Sequence, residues 1–130
     1  MKENIIADKS YAFALRIVKA YLFLSKEKRE YVFSKQLLRS GTSIGALVSG
    51  SRFAQSRADF INKLHIALKE ANETKYWIML LHDSEFITHP MYDSIFPEIE
   101  EIIILYRKNV KRDNKKLRTE GIKKIEFLNS

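Results

Sequence analysis

KQLLRSGTSIGALVSGSRFAQSRADFINKLHIALKEANETKYWIMLL, residues 35–81, is the stretch from which the fold can be read. Its second half holds Phe60, Leu64, Ala67, Ala71, Thr74, Ile78 and Leu81 at steps of four and three. That spacing lays one seam of small and large side chains along a single face of a long helix. Its first half holds a matching seam, Leu37, Gly41, Ile44, Val48 and Ser51. Between the two, Ser56 and Asp59 suit a helix start, because a serine hydroxyl accepts from a free backbone N–H and an acid complements the positive helix end. The pair predicts two antiparallel helices packed face to face.

The small-residue helix has a cost that needs a reason. Gly41, Gly45 and Gly50 all lie inside it, and each is worth about 1 kcal/mol against helix relative to alanine. Gly41 and Gly45 are one turn apart, and Ser40, Ser43, Ala46 and Ser49 surround them. This pattern predicts close helix packing, where contacts made without Cβ bulk offset the lost propensity.

Working outward, residues 8–25 read as a first helix. Its apolar positions cover more of the wheel than one core-facing stripe requires. Such a helix either sits between neighbours or turns one face to another subunit. Residues 26–30, KEKRE, form a charged connection, and the second helix spans about 31–51. The third runs over 57–82, and DSEFITHPMY (83–92) reads as a loop. A fourth helix over 93–113 keeps Pro97 in its first turn, where proline is tolerated. Residues 1–113 thus form one all-α bundle, followed by a basic tail over 114–130.

The composition fits that class: 45% hydrophobic, 30% charged, no cysteine and a formal net charge of +7. Without cysteine there are no disulfides, thiolate zinc sites or cysteine nucleophiles. No apolar run approaches the ~20 residues a bilayer needs, and the N-terminus has no signal-peptide core. A cytoplasmic protein without a membrane partner is expected. The charge is unevenly placed. Arg107 to Lys124 carries nine basic and two acidic residues, whereas residues 1–106 carry fourteen and thirteen. A concentrated basic segment attracts polyanions. Arg107, Lys108, Lys111, Arg112, Lys115, Lys116 and Arg118 are the candidate nucleic-acid contacts, with Tyr106 and Phe127 placed to stack on bases.

Catalytic chemistry is sparse. His65, His82 and His89 have no metal-binding spacing, the glycines form no phosphate loop, and the glutamates lack the Glu-x-x-His pattern of di-iron bundles. No enzyme activity, cofactor or metal is expected. Arg39 can pair with Glu70 or Glu73 across the helix interface, which would fix the register of the hairpin.

KQLLRSGTSIGA and AQSRADFINKLHIALKEANETKYWIMLL, with FALRIVKAYLFL before them, closely resemble the 23S rRNA-intervening-sequence proteins over residues 11–106. The resemblance implies an up-down-up-down four-helix bundle, a ring-shaped homopentamer and no catalytic residues. Related bundles are retroelement accessory proteins that bind nucleic acid and a reverse transcriptase. The chain departs from the family pattern SIGANVEEA at Leu47, Ser49 and Gly50, where asparagine and two glutamates are usual. The function expected is an oligomer that binds RNA or DNA through phosphate contacts. The alternative is a scaffold that docks a partner protein without binding nucleic acid.

Overall fold

The computed structural model describes the backbone of residues 2–51 and 54–129, and the side-chain surroundings of residues 5–49 and 54–129. The described residues form four helices: α1 (Lys2–Lys26), α2 (Phe33–Ser51), α3 (Arg57–Asp83) and α4 (His89–Asn129). Each packs along its neighbour in sequence, and α1 closes on α4 over a shorter line. Short connections between neighbouring helices make the bundle antiparallel, up-down-up-down.

The α3 seam is buried from Leu64 through Leu81, but at its start Ile61 is buried while Phe60 is only half-buried. Across from it lie Ser40 and Ile44 of α2, with the Ser40 and Thr74 hydroxyls 2.9 Å apart in the interior. The glycines face the other way. A Cβ on Gly41 would stand 2.8 Å from Ile17 Cγ1, and one on Gly45 would stand 3.4 Å from the Ser10 carbonyl oxygen. They admit α1, not α3. The surroundings of Gly50 and Ser51 lie outside the described residues.

Helix starts are set by single polar side chains. Ser56 accepts from the Asp59 amide at 3.1 Å, while the Asp59 carboxylate accepts from Gln55 N and Lys63 Nζ. This is a reciprocal capping arrangement at the head of α3. At the head of α2, buried Glu30 accepts from the amides of Val32, Phe33 and Ser34 at 2.7–2.9 Å. Burial alone would raise its pKa. The backbone donors, led by Phe33 and Ser34, outweigh it and hold the carboxyl below the usual value.

The fourth helix begins earlier than residue 93. Thr88 caps it, its hydroxyl accepting from Met91 N at 3.3 Å and its carbonyl from Tyr92 N at 2.9 Å. Pro90 therefore takes the first-turn place, where a missing N–H costs nothing. Pro97 lies inside the helix on its exposed side. There the Asp93 carbonyl loses its intrahelical partner next to solvent. At the other end the helix does not stop near residue 113 but continues to Asn129.

Candidate nucleic-acid interface

From Ile99 onward, α4 carries two patterns on opposite faces. Ile99, Ile103, Tyr106, Val110 and Asp113 point into the bundle and are buried. Arg107, Lys111, Lys115 and Arg118, spaced four, four and three apart, share one line on the outer side, and Lys108, Arg112 and Lys116 form a second line beside it. All of these except half-buried Arg112 are exposed.

Between Arg107 and Lys124 the two acids, Asp113 and Glu120, are already committed. Asp113 is 2% exposed and lies 3.6 Å from Arg57 Nη1 of α3. Glu120 accepts from Arg57 Nε at 3.1 Å. Arg112 is drawn inward as well, its Nη2 3.4 Å from Asp113 Oδ2. Arg107, Lys108, Lys111, Lys115, Lys116 and Arg118 form no ion pair among the described residues. One arginine from α3 thus absorbs both acids, and the outer cations are left without counter-charge.

Tyr106 is not a stacking platform. It is 1% exposed, and its hydroxyl meets Ser10 Oγ of α1 at 2.8 Å. Burial pushes its phenol well above the ordinary value. Phe127, in contrast, is 78% exposed.

Arg39 of α2 reaches both acids on α3, with Nη1 3.0 Å from Glu70 Oε2 and Nη2 on Glu73. Glu73 also accepts from Trp77 Nε1 at 3.3 Å. The hydrogen bond from Arg39 lowers the Glu73 pKa, and the same bond raises that of Arg39. The cluster clamps α2 to α3 from outside the core.

A cleft of about 440 Å³ opens between α1, α3 and the start of α4, lined by Phe23, Leu81, Ile87, Met91 and Ile95. Arg16 stands at its side, bonded to Ser94 and Glu98. No nucleophile–base pair faces the cleft among the described residues. Nor do three or more His, Asp or Glu side chains there gather to hold a metal ion. No described helix is long and apolar enough to cross a membrane. Leu47 packs half-buried against the core, and Ser49 is exposed.

The fold defines the class: an antiparallel four-helix bundle with a basic helical extension. The model of the 23S rRNA-intervening sequence protein family matches residues 2–108, and the chain belongs to that family. It is 57% identical to a crystallised protein of unknown function from the S23 ribosomal protein family of Bacteroides thetaiotaomicron. That match has a TM-score of 0.83 and covers 85% of this chain and 99% of the other. No curated protein gives a significant match.

Proposed function

We propose that this protein is a non-enzymatic, oligomeric bundle that binds RNA or DNA through phosphate contacts along the outer face of α4. The observation that carries this reading is the set of six exposed, unneutralised cations on that face. Arg107 to Arg118 spans about 16 Å at 1.5 Å per residue, enough to follow several phosphates of one strand. Contacts of this kind position a protein without reading sequence. The family's name, which refers to an insertion in ribosomal RNA, agrees with a nucleic-acid role, and such a role belongs in the cytoplasm.

Self-association has its own support. Tyr11, Leu15, Val18 and Leu22 lie on α1 at steps of four, three and four, and all four are exposed. Such a seam suits helix packing between subunits, as in the pentamer that the family resemblance implies. If it docks a different protein instead, the chain is a scaffold and the basic face serves only solubility.

The test is a titration of labelled structured RNA and of duplex DNA at several salt concentrations, with the mass measured by light scattering. Four phosphate contacts on a duplex give a slope of log K against log salt near about −3.6. Replacing Arg107, Lys111, Lys115 and Arg118 by glutamine should remove most of that slope and leave the mass unchanged. Unchanged affinity in the fourfold variant would refute the assignment.

A further inference from the structure

A further cleft opens beside the basic face of α4. It holds about 330 Å³ and is lined by Ile5 and Ile6 of α1 and by Leu105, Lys108, Asn109 and Arg112 of α4. Sites for small molecules begin near ~300 Å³, with apolar walls and a few placed polar groups. Here the two isoleucines and Leu105 form the apolar wall. Lys108 and Arg112 stand one helical turn apart in the second line of cations.

Two atoms of this lining have no partner. Asn109 is buried, and its Nδ2 donates to the Leu105 carbonyl oxygen at 2.7 Å. A carbonyl only accepts, so that bond fixes the orientation of the amide and leaves Oδ1 over. Oδ1 is buried without a hydrogen bond among the described residues, and so is Nε of Arg112. Buried polar groups are nearly always paired, and each exception calls for a reason. The two atoms make opposite demands on whatever fills the cleft. Oδ1 needs a donor, while Nε needs an acceptor, best an anionic one. Beside the exposed Lys108 ammonium, the acceptor that fits is a phosphate. A molecule with an N–H edge, a flat apolar face and a phosphate is a nucleotide.

We infer that this cleft receives an adenine nucleotide, presented as one unpaired residue of the bound strand; the inference rests on the phosphate-binding reading above. Adenine offers N6–H to Asn109 Oδ1 and N7 to the second Nδ2 hydrogen, the pairing that an asparagine amide matches. Its ring lies against Ile5 and Leu105, and its phosphate lies on Arg112 and Lys108. Oδ1 and Nε are covered in the free chain, so the base turns the long Lys108 and Arg112 side chains outward as it enters. Among the described residues Arg112 is held by one contact, 3.4 Å to Asp113. A paired base cannot enter, so the preferred ligand is single-stranded.

Binding of the full chain is measured to labelled single strands of equal length, one of adenosine and one of inosine, at several salt concentrations. Inosine keeps N7 but carries a carbonyl in place of the amine, which sets oxygen against Asn109 Oδ1. The adenosine strand should bind at least about fivefold tighter, with the same salt slope. Asn109→Leu, an apolar side chain of similar size at a buried position, should abolish that preference and keep the slope. Ile5→Trp, which narrows the cleft from an exposed position, should do the same. Equal affinity for the two strands with a steep salt slope would overturn the adenine site, leave the two atoms to a bridging water, and leave the phosphate reading standing. If neither strand binds at low salt, the phosphate reading fails and adenosine monophosphate decides the cleft. Uptake that Asn109→Leu abolishes supports the nucleotide site for a free ligand, and no uptake overturns it.

Discussion

Adding one methyl group at Gly41 tests why α2 carries glycine in mid-helix. The new Cβ would lie 2.8 Å from Ile17 Cγ1, 2.9 Å from Cγ2 and 3.2 Å from Cδ1, against the 3.5–4.0 Å of good carbon contacts. Ile17 is fully buried and β-branched, so it has no second rotamer to retreat into. Either α1 moves away from α2 or the isoleucine leaves its well. Overpacking of this sort costs about 1–3 kcal/mol, while glycine to alanine returns about 1 kcal/mol of helix propensity. Gly41→Ala is therefore expected to destabilise by about 1 kcal/mol. Gly45→Ala meets only ordinary contact with the Ser10 carbonyl, and Gly121→Ala meets nothing within 4 Å. Both should be neutral or stabilising by up to about 1 kcal/mol. Urea unfolding at fixed protein concentration reads these differences as shifts of midpoint at constant slope. In an Ile17→Ala background the Gly41→Ala change should turn from harmful to helpful, a coupling of about 1 kcal/mol or more. A Gly41→Ala midpoint raised as much as that of Gly45→Ala would refute the close-packing explanation.

Glu30→Gln should cost about 1–2 kcal/mol near neutral pH by weakening the cap of α2. The Glu30 pKa is lowered on folding, so its contribution is complete above the unfolded value of about 4.3 and is lost as pH falls through the lower folded value. Urea midpoints measured from pH 7 downward should show the wild type losing stability across that acid window more steeply than Glu30→Gln. Tyr106→Phe leaves the Ser10 hydroxyl buried without its partner and should cost about 1–3 kcal/mol. The double change with Ser10→Ala should cost less than the two single changes added, as measured by the same unfolding assay.

Much of the bundle was legible because burial leaves a period in the sequence. The α3 seam and the Ser56–Asp59 start are local patterns, and local patterns survive without knowledge of the partner. Which neighbour a face meets is not local. The seams of α2 and α3 matched each other, yet Gly41 and Gly45 open toward Ile17 and Ser10 of α1. The start of α4 was read too late for a related reason: Pro97 suits a first turn, but so does Pro90, and the Thr88 hydroxyl that selects Pro90 leaves no mark in the spacing. On the candidate interface, the run of cations was plain but its neutralisation was not. Arg57, which takes both Asp113 and Glu120, comes from another helix. The burial of Tyr106 could have been read from its place in the Ile99, Ile103, Val110 line. His82 Nε2 and His89 Nδ1 meet at 3.3 Å across the α3–α4 turn, and that meeting depends on the path of five residues, which no spacing rule reports.

The family match ends at residue 108, and the crystallised relative covers 85% of this chain. The last turns of α4 lie beyond the residues that the family model matches. The core line of α4 ends at Asp113, which Arg57 and Arg112 seal. From Lys115 onward every described side chain on the helix is exposed. A flexible basic tail would also attract polyanions, but it would lose conformational freedom on binding each phosphate. A continuous helix has already incurred that loss during folding. It also fixes its cations at 1.5 Å per residue along one axis, anchored at its root by the Arg57 pairs. On the function proposed above, the nearly neutral body and the charged arm would serve two separate tasks, the core and the α1 seam holding an assembly and the extension setting how far from it the positive charge is presented.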